Sequence, residues 1–241
     1  MRAKVDIIVA AGTPSVAAAH HATSLIPIVM TSNPDPVGAG FVASLARPGG
    51  NITGLENMGA ELTGKELQLL RELIPHLQRV AVLFNSSNRG NLAVWRSLSS
   101  VAGSTGIQLV AVDIRSPGQI DAAFKTLPQL RANALMVLND GAMVSNAAHL
   151  VQLIAAQRVP AIYGLPQYTA AGGLMYYGAS AVGSWIQVAT YVDRIFKGAN
   201  PADLPVENPT TFELIVNLKT ARSLGITVPQ SILLRADQVV K

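Results

Sequence analysis

Short apolar runs recur along most of this chain, each closed by a glycine or small polar turn and followed by a helical stretch. This alternation constrains the fold more than any other feature. A strand buried on both faces reads as a continuous apolar run, and strand–helix alternation implies parallel sheets with helices packed against them. Residues 5–10 form such a run up to Gly12, and Thr13-Pro14-Ser15 opens a helix to about residue 22, with proline tolerated in its first turn. Residues 27–31 read as the next strand and 37–46 as a helix; Arg47-Pro48-Gly49-Gly50 breaks it, and a short strand follows at 51–55.

A second series starts at Thr63-Gly64-Lys65-Glu66, which reads as a capping box ahead of a helix whose apolar face carries Leu67, Leu70 and Ile74. Strands are expected at 79–84, 109–114, 134–138 and 160–163. Between them, one helix carries Leu92, Trp95, Leu98 and Ala102 along one side, which places Trp95 in a core, and another starts at Pro117. A helix is expected from 141 to about 157. The rest of the chain reads as an extended segment at 172–178, a helix at about 184–197, a strand at 212–218 and a short helix at 219–224. These are return crossings between two lobes, not a third domain. The expected division is 1–60 with 179–207 in a first lobe and 61–178 with 208–241 in a second.

Composition narrows the function classes. Hydrophobic residues make up 49% and charged residues 13% of the 241, which excludes a disordered chain. The net charge of +4 is dispersed and aromatics are 5%, so no nucleic-acid footprint is expected. There is no cysteine, hence no disulfide, thiolate metal site or cysteine nucleophile. No run has the length of a membrane span, and Met1-Arg2-Ala3-Lys4 enters the first strand without a signal-peptide pattern.

In parallel α/β sheets, ligands sit beyond the carboxyl ends of the strands. Those ends carry Thr13 and Ser15, Asn33 and Asp35, Asn85, and Asn139 with Asp140, each just ahead of a helical stretch. Helix N-termini and small polar side chains together suit a carboxylate, and Asp35 or Asp140 could meet an ammonium group. Tyr163, with Tyr176 and Tyr177, could wall an apolar side chain. The same residue types are ordinary turn and helix-cap residues, and taken singly that reading comes first. Five of these residues, Thr13, Ser15, Asp35, Asn85 and Asp140, are expected to face one cleft.

Catalytic signals are poor. His20 and His21 are adjacent on a helix and point to different faces, and neither His76 nor His149 belongs to a metal-ligand spacing. The turn at Gly12 lacks a dinucleotide fingerprint, no phosphate-loop lysine is present, and no nucleophile elbow occurs. Neither a metal nor a cofactor is expected.

Several longer stretches then converge. Arg47-Pro-Gly-Gly-Asn-Ile-Thr-Gly54, Glu66-Leu-Gln-Leu-Leu-Arg-Glu-Leu-Ile-Pro75, Gly172-Gly-Leu-Met-Tyr-Tyr-Gly178, Pro201-Ala-Asp-Leu-Pro-Val206 and the tail from Phe212 to Pro229 stand in order along nearly the whole chain. Together they resemble the ABC transporter substrate-binding family, whose members include aromatic amino-acid binders. The resemblance implies a two-lobed type I periplasmic-binding α/β fold that closes on a small solute and does not catalyse a reaction. It implies an inner-membrane permease as partner and an extracytoplasmic location for the full-length form. The Gly12–Ser15 and Asp35 turns fall on the first lobe's ligand side, and the Asn85 and Asp140 turns on the second's. The resemblance begins at the family's third strand, so the first lobe is expected to be incomplete and to offer a surface for self-association. The alternative is the effector-binding domain of a transcriptional regulator on the same fold, which would need a DNA-binding helix-turn-helix.

Overall fold

The structure is a computed structural model that describes residues 4–241. In chain order its main elements are β1 (Ile8–Ala11), α1 (Thr13–Ala22), β2 (Ile28–Asn33), β3 (Ile52–Glu56), α2 (Gly59–Leu73), β4 (Arg79–Phe84), α3 (Arg89–Thr105), β5 (Gln108–Asp113) and α4 (Ile120–Thr126). There follow β6 (Ala134–Val137), α5 (Gly141–Val144), α6 (Ala147–Gln157), β7 (Ala161–Tyr163), α7 (Pro166–Ala170) and β8 (Met175–Ala179). The chain closes with α8 (Ala181–Phe196), β9 (Phe212–Asn217), α9 (Leu218–Ser223), α10 (Gln230–Leu233) and β10 (Gln238–Val240). It divides into two compact units. The first runs to Gly59 and resumes over Ala179–Phe212; the second comprises Ala60–Gly178 and Glu213–Lys241.

The first unit is built on a three-stranded sheet, β1-β2-β3, with both pairs parallel. Ile28, Val29 and Met30 are fully buried because helical or loop segments cover both faces of β2. Side chains alternate along the strands. Ala10, Ile28, Met30 and Ile52 meet Val16 of α1 together with Phe41 and Val42. Val29 and Leu55 meet Val188 and Tyr191 of α8. The outer edge of β3 is occupied: Glu56 N–H donates to Glu207 O (3.0 Å) and Glu207 N–H to Gly54 O (3.0 Å).

One expected helix is not formed. Residues 37–46 are turns and bends. Pro34, Pro36, Gly38 and Gly40 are poor helix residues, Gly40 takes a left-handed φ of 77°, and the Asp35 carboxylate accepts from Gly38 N–H (2.8 Å), holding a local turn in place of a helix. The apolar content of the stretch still serves the core, through Phe41 and Val42.

The second unit carries a seven-stranded sheet in the order β10-β9-β8-β7-β6-β4-β5. The β4–β5, β4–β6, β6–β7, β7–β8 and β9–β10 pairs are parallel. One face packs Val80, Val82, Phe84 and Met136 against Leu67 and Leu70 of α2 and Leu98 of α3. The other packs Leu83, Leu135 and Ala161 against Phe124, Leu150 and Ile154. Each fully buried side chain of this size contributes roughly 1.5–3 kcal/mol. Trp95 stacks on Phe84 at a centroid distance of 5.1 Å, consistent with its core spacing on α3.

The capping-box expectation is corrected. Helix α2 starts at Gly59, so Thr63 lies inside it, and Glu66 is an interior, 3% exposed residue. Burial pushes the Glu66 carboxyl well above the ordinary carboxylate range. With the folded pKa above the unfolded one, the folded state holds the extra proton between the two values, so stability falls as pH rises through that window. Glu66→Gln is therefore expected to raise stability at neutral pH, with the advantage vanishing once pH drops below the ordinary carboxylate range. Urea denaturation of both proteins across this range checks it; equal midpoints at neutral pH would contradict it.

Candidate functional site

In the first unit the three strand ends lie side by side. Gly12, with φ 79°, turns the chain out of β1, its N–H donating to Thr31 O (2.9 Å), and its carbonyl accepts from Ser15 and Val16 N–H (3.1 Å each) to start α1. Thr13 is 5% exposed and its Oγ1 is buried without a hydrogen-bond partner. Ser15, two residues further on, is exposed. At the end of β2, Asn33 is fully buried; its Oδ1 accepts from Asp35 N–H (3.3 Å), while its Nδ2 has no partner. Asn57, after β3, donates its N–H to Asn33 O (3.0 Å), and its own Oδ1 is a third buried atom without a partner. Each strand end of this sheet thus holds one unpaired polar atom: a hydroxyl, an amide donor and an amide acceptor. Buried polar atoms are otherwise almost always paired, so three at the carboxyl ends of one sheet single out this rim as the candidate site. Asp35 has its Oδ1 committed to the Gly38 turn. Asn57 escaped the sequence reading because Asn57-Met58-Gly59 follows a short strand and looks like any turn.

The second unit's rim is a paired network. Asp140, 6% exposed, caps α5 by accepting from Ala142 N–H (3.0 Å) on Oδ1, and Oδ2 accepts from Asn85 Nδ2 (3.1 Å) and Asn88 Nδ2 (3.0 Å). Asn91 extends it, accepting from Asn85 N–H (3.0 Å) and donating to Asn139 O (2.7 Å). Asn85 and Asp140 are thus joined as ties between the β4 and β6 ends, and the Asp140 carboxylate accepts from three donors. Asn139 Oδ1 is buried without a partner, against Gly164, where even a Cβ would come within 2.7 Å of it.

Tyr163 is 1% exposed and its ring stacks on Tyr168 at 4.9 Å, so it stands in the packed interior. Burial pushes both phenols up, with Tyr168 acting on Tyr163 and the Asp140 charge acting on Tyr168 in the same direction. The Tyr168 hydroxyl has no hydrogen-bond partner.

A further rim cluster was not read from the sequence. Asp113, ending β5, accepts from Ser86 N–H (2.8 Å), Ser86 Oγ (2.7 Å) and Arg115 Nε (2.7 Å). Burial alone would raise the Asp113 carboxyl, but these Ser86 and Arg115 hydrogen bonds and the arginine charge outweigh it and hold it below its ordinary value. The spacing Asp113-Ile114-Arg115 at a strand end was the available signal. Among the described residues no group of three or more His, Cys, Asp or Glu side chains could hold a metal ion.

Parallel sheets flanked by helices, with polar strand-end rims, define a periplasmic-binding type of α/β protein. The chain belongs to the ABC transporter substrate binding protein family, whose model matches residues 1–240, and this is a family of binding proteins, not of enzymes. It is 28% identical over 223 residues to the tyrosine-binding protein of Clostridioides difficile, covering 92% of this chain and 64% of that one. The chain thus spans less than two thirds of that relative's length. Among solved structures, a conserved domain protein from Vibrio cholerae superposes with a TM-score of 0.90 at 27% identity, over 98% of this chain and 79% of that one. An ABC domain from Streptococcus pneumoniae in complex with L-Trp superposes with a TM-score of 0.89 at 26% identity, with the same coverage. No helix among the described residues is long and apolar enough to cross a membrane.

Proposed function

We propose that this chain is the solute-capturing component of an ABC importer, and that its solute is an aromatic amino acid delivered to an inner-membrane permease from outside the cytoplasm. Family membership supports the transport role. The relatives that bind tyrosine or carry L-Trp support the solute class. The observation that carries the reading is the trio of unpaired atoms in the first unit. Thr13 Oγ1 and Asn33 Nδ2 can donate to a carboxylate beside the N-terminus of α1, and Asn57 Oδ1 can accept from an ammonium group. Two donors and one acceptor match the main-chain end of a zwitterionic amino acid.

Calorimetric titration with L-tyrosine, L-tryptophan, tyramine and phenylacetate tests this. The amino acids are expected to bind, and the two analogues, each missing one charged group, to bind at least tenfold more weakly. Thr13→Val should weaken binding about 10- to 100-fold, as expected for a hydrogen bond to a charged group. The same change should leave the unliganded protein as stable or more stable, because it removes a buried unpaired hydroxyl. Equal binding of tyramine and tyrosine, or no binding of any aromatic amino acid, would overturn the reading.

A further inference from the structure

Among the described residues, four other than glycine hold a left-handed backbone: Ser32 (φ 55°), Met58 (φ 51°), Arg131 (φ 51°) and Arg158 (φ 55°). Arg131 and Arg158 close helical turns, an ordinary place for that conformation. Ser32 and Met58 close none. Each stands instead beside an asparagine of the first unit's rim, Ser32 before Asn33 and Met58 after Asn57, and both asparagines hold a buried unpaired atom. Residues with a Cβ adopt this conformation rarely and at a cost, so its presence at both asparagines calls for a local cause.

For Ser32 the cause lies in the strand register. Met30 pairs with Gly54 and Asn33 with Glu56, so β2 takes three steps where β3 takes two. One extra residue is held in β2 as a bulge, a device that re-aims side chains near binding sites. On the β1 side the register runs unbroken to Thr31, opposite Ala11, so the extra residue is Ser32. Side chains alternate along β2: Ile28 and Met30 pack on the α1 face and Val29 on the α8 face. Continued without a bulge, that alternation would put Ser32 on the α1 face and Asn33 on the α8 face. The bulge gives Asn33 the place opposite Glu56 that Ser32 would have taken, and the Asn33 carbonyl accepts from Asn57 N–H there (3.0 Å). Asn33 thereby joins Ile28 and Met30 on the face covered by α1, whose first residue is Thr13. The Ser32 side chain itself is exposed, so what this position supplies is its backbone conformation.

We propose that Ser32 is a positioning residue for solute capture: its left-handed backbone sets the bulge that turns the Asn33 amide from the α8 face to the Thr13 face. There Asn33 Nδ2 and Thr13 Oγ1 can serve one carboxylate. The role in capture rests on the solute reading given above; the bulge does not. Ser32 acts through Asn33 and touches no solute. Side chains at position 32 should therefore rank by their tolerance of a left-handed φ, with Gly and Asn tolerant and the β-branched Thr and Val poor.

Amide exchange on the unliganded chain reads the bulge, and calorimetric titration with L-tyrosine reads its consequence. In the unaltered protein, and in Ser32→Gly and Ser32→Asn, the Asn57 N–H should be protected by its bond to Asn33 O. Both variants should bind tyrosine within about threefold of the unaltered affinity. Ser32→Val should expose the Asn57 amide while Ile28 N–H, bonded to Asn51 O at the other end of β2, stays protected. It should weaken tyrosine binding about tenfold or more. In an Asn33→Ala background the same change should alter affinity by less than about twofold, because the group it misplaces is already gone. A general loosening of the unit would lower affinity equally in both backgrounds. Where Ser32→Val unfolds the unit, shown by lost protection at Ile28 as well, Ser32→Thr makes the same comparison, with an expected loss of about threefold. An Asn57 amide that stays protected in the β-branched variants overturns the proposal, and so does an affinity loss of the same size with and without Asn33. If the unaltered chain binds no aromatic amino acid, the solute reading fails, and the exchange pattern still decides whether Ser32 places Asn33.

Discussion

Gly54→Ala is expected to unfold the first unit while leaving the second folded. Gly54 lies within β3, in register with Met30 of β2, at φ 127°, a backbone conformation that residues with a Cβ rarely adopt. A Cβ there would press into the Met30 carbonyl oxygen and stand 2.7 Å from the Met30 nitrogen. These are backbone atoms in the middle of a fully buried strand, so they cannot swing aside as a flexible side chain would. The ladder is already irregular between Met30 and Asn33, which fits a glycine that lets two strands approach too closely for a side chain. Backbone strain and overpacking each cost about 1–3 kcal/mol, and together about 3–5 kcal/mol, a large share of a domain's stability. Each unit has its own core, so calorimetry should show one transition lowered or lost and the other kept. Gly64→Ala is the control. It lies inside α2 with nothing within 4 Å of the added Cβ, and should be neutral or stabilising by under about 1 kcal/mol. A Gly54→Ala protein with an unaltered first-unit transition would show that the strands can part cheaply.

That glycine also shows how far the sequence could be read. Asn51-Ile52-Thr53-Gly54 announced a short strand with a glycine near its end, but the reason for the glycine lies on Met30, which is distant in sequence. Parallel strands were legible because burial on both faces writes itself as unbroken apolar runs, as in Ile28-Val29-Met30. Helix α3 was legible because Leu98 and Ala102 repeat at helical spacing and Gly106 ends it in a left-handed turn. The stretch 37–46 misled because its apolar residues reach the same core without a helix, and periodicity does not separate those cases over ten residues that hold Gly38 and Gly40 and lie between Pro36 and Pro48. The site was legible as a set of strand ends and much less so as individual roles. Whether an asparagine at a strand end is spent on its neighbours, as Asn85 is, or left unpaired, as Asn33 Nδ2 is, depends on partners that come from other strands.

Asp140 is where that distinction has the largest energetic consequence. Its buried carboxylate accepts from the side-chain amides of Asn85 and Asn88 and from Ala142 N–H, so one side chain joins the end of β4, the start of α3 and the start of α5. Asp140→Leu would remove the α5 cap, worth about 1 kcal/mol, and leave two buried amides unpaired at about 1–3 kcal/mol each. Such losses do not add fully, and a total of about 3–5 kcal/mol is expected in the second unit's transition. Asp140→Asn keeps an oxygen for the cap but turns an NH2 toward two NH2 donors, so it should lose most of what Asp140→Leu loses despite its matched shape. A double-mutant cycle with Asn88→Ala should give a coupling of about 1–3 kcal/mol, since the pair shares one hydrogen bond inside one network (3.0 Å). The opposite assignment makes the opposite forecast. Were Asp140 held in place only to meet a solute's ammonium group, removing its buried charge would leave the unliganded protein as stable as before, or more so, and only solute affinity would fall. Urea denaturation of the unliganded variants separates the two, and a second-unit midpoint unmoved by Asp140→Leu would return Asp140 to the role of a direct solute contact.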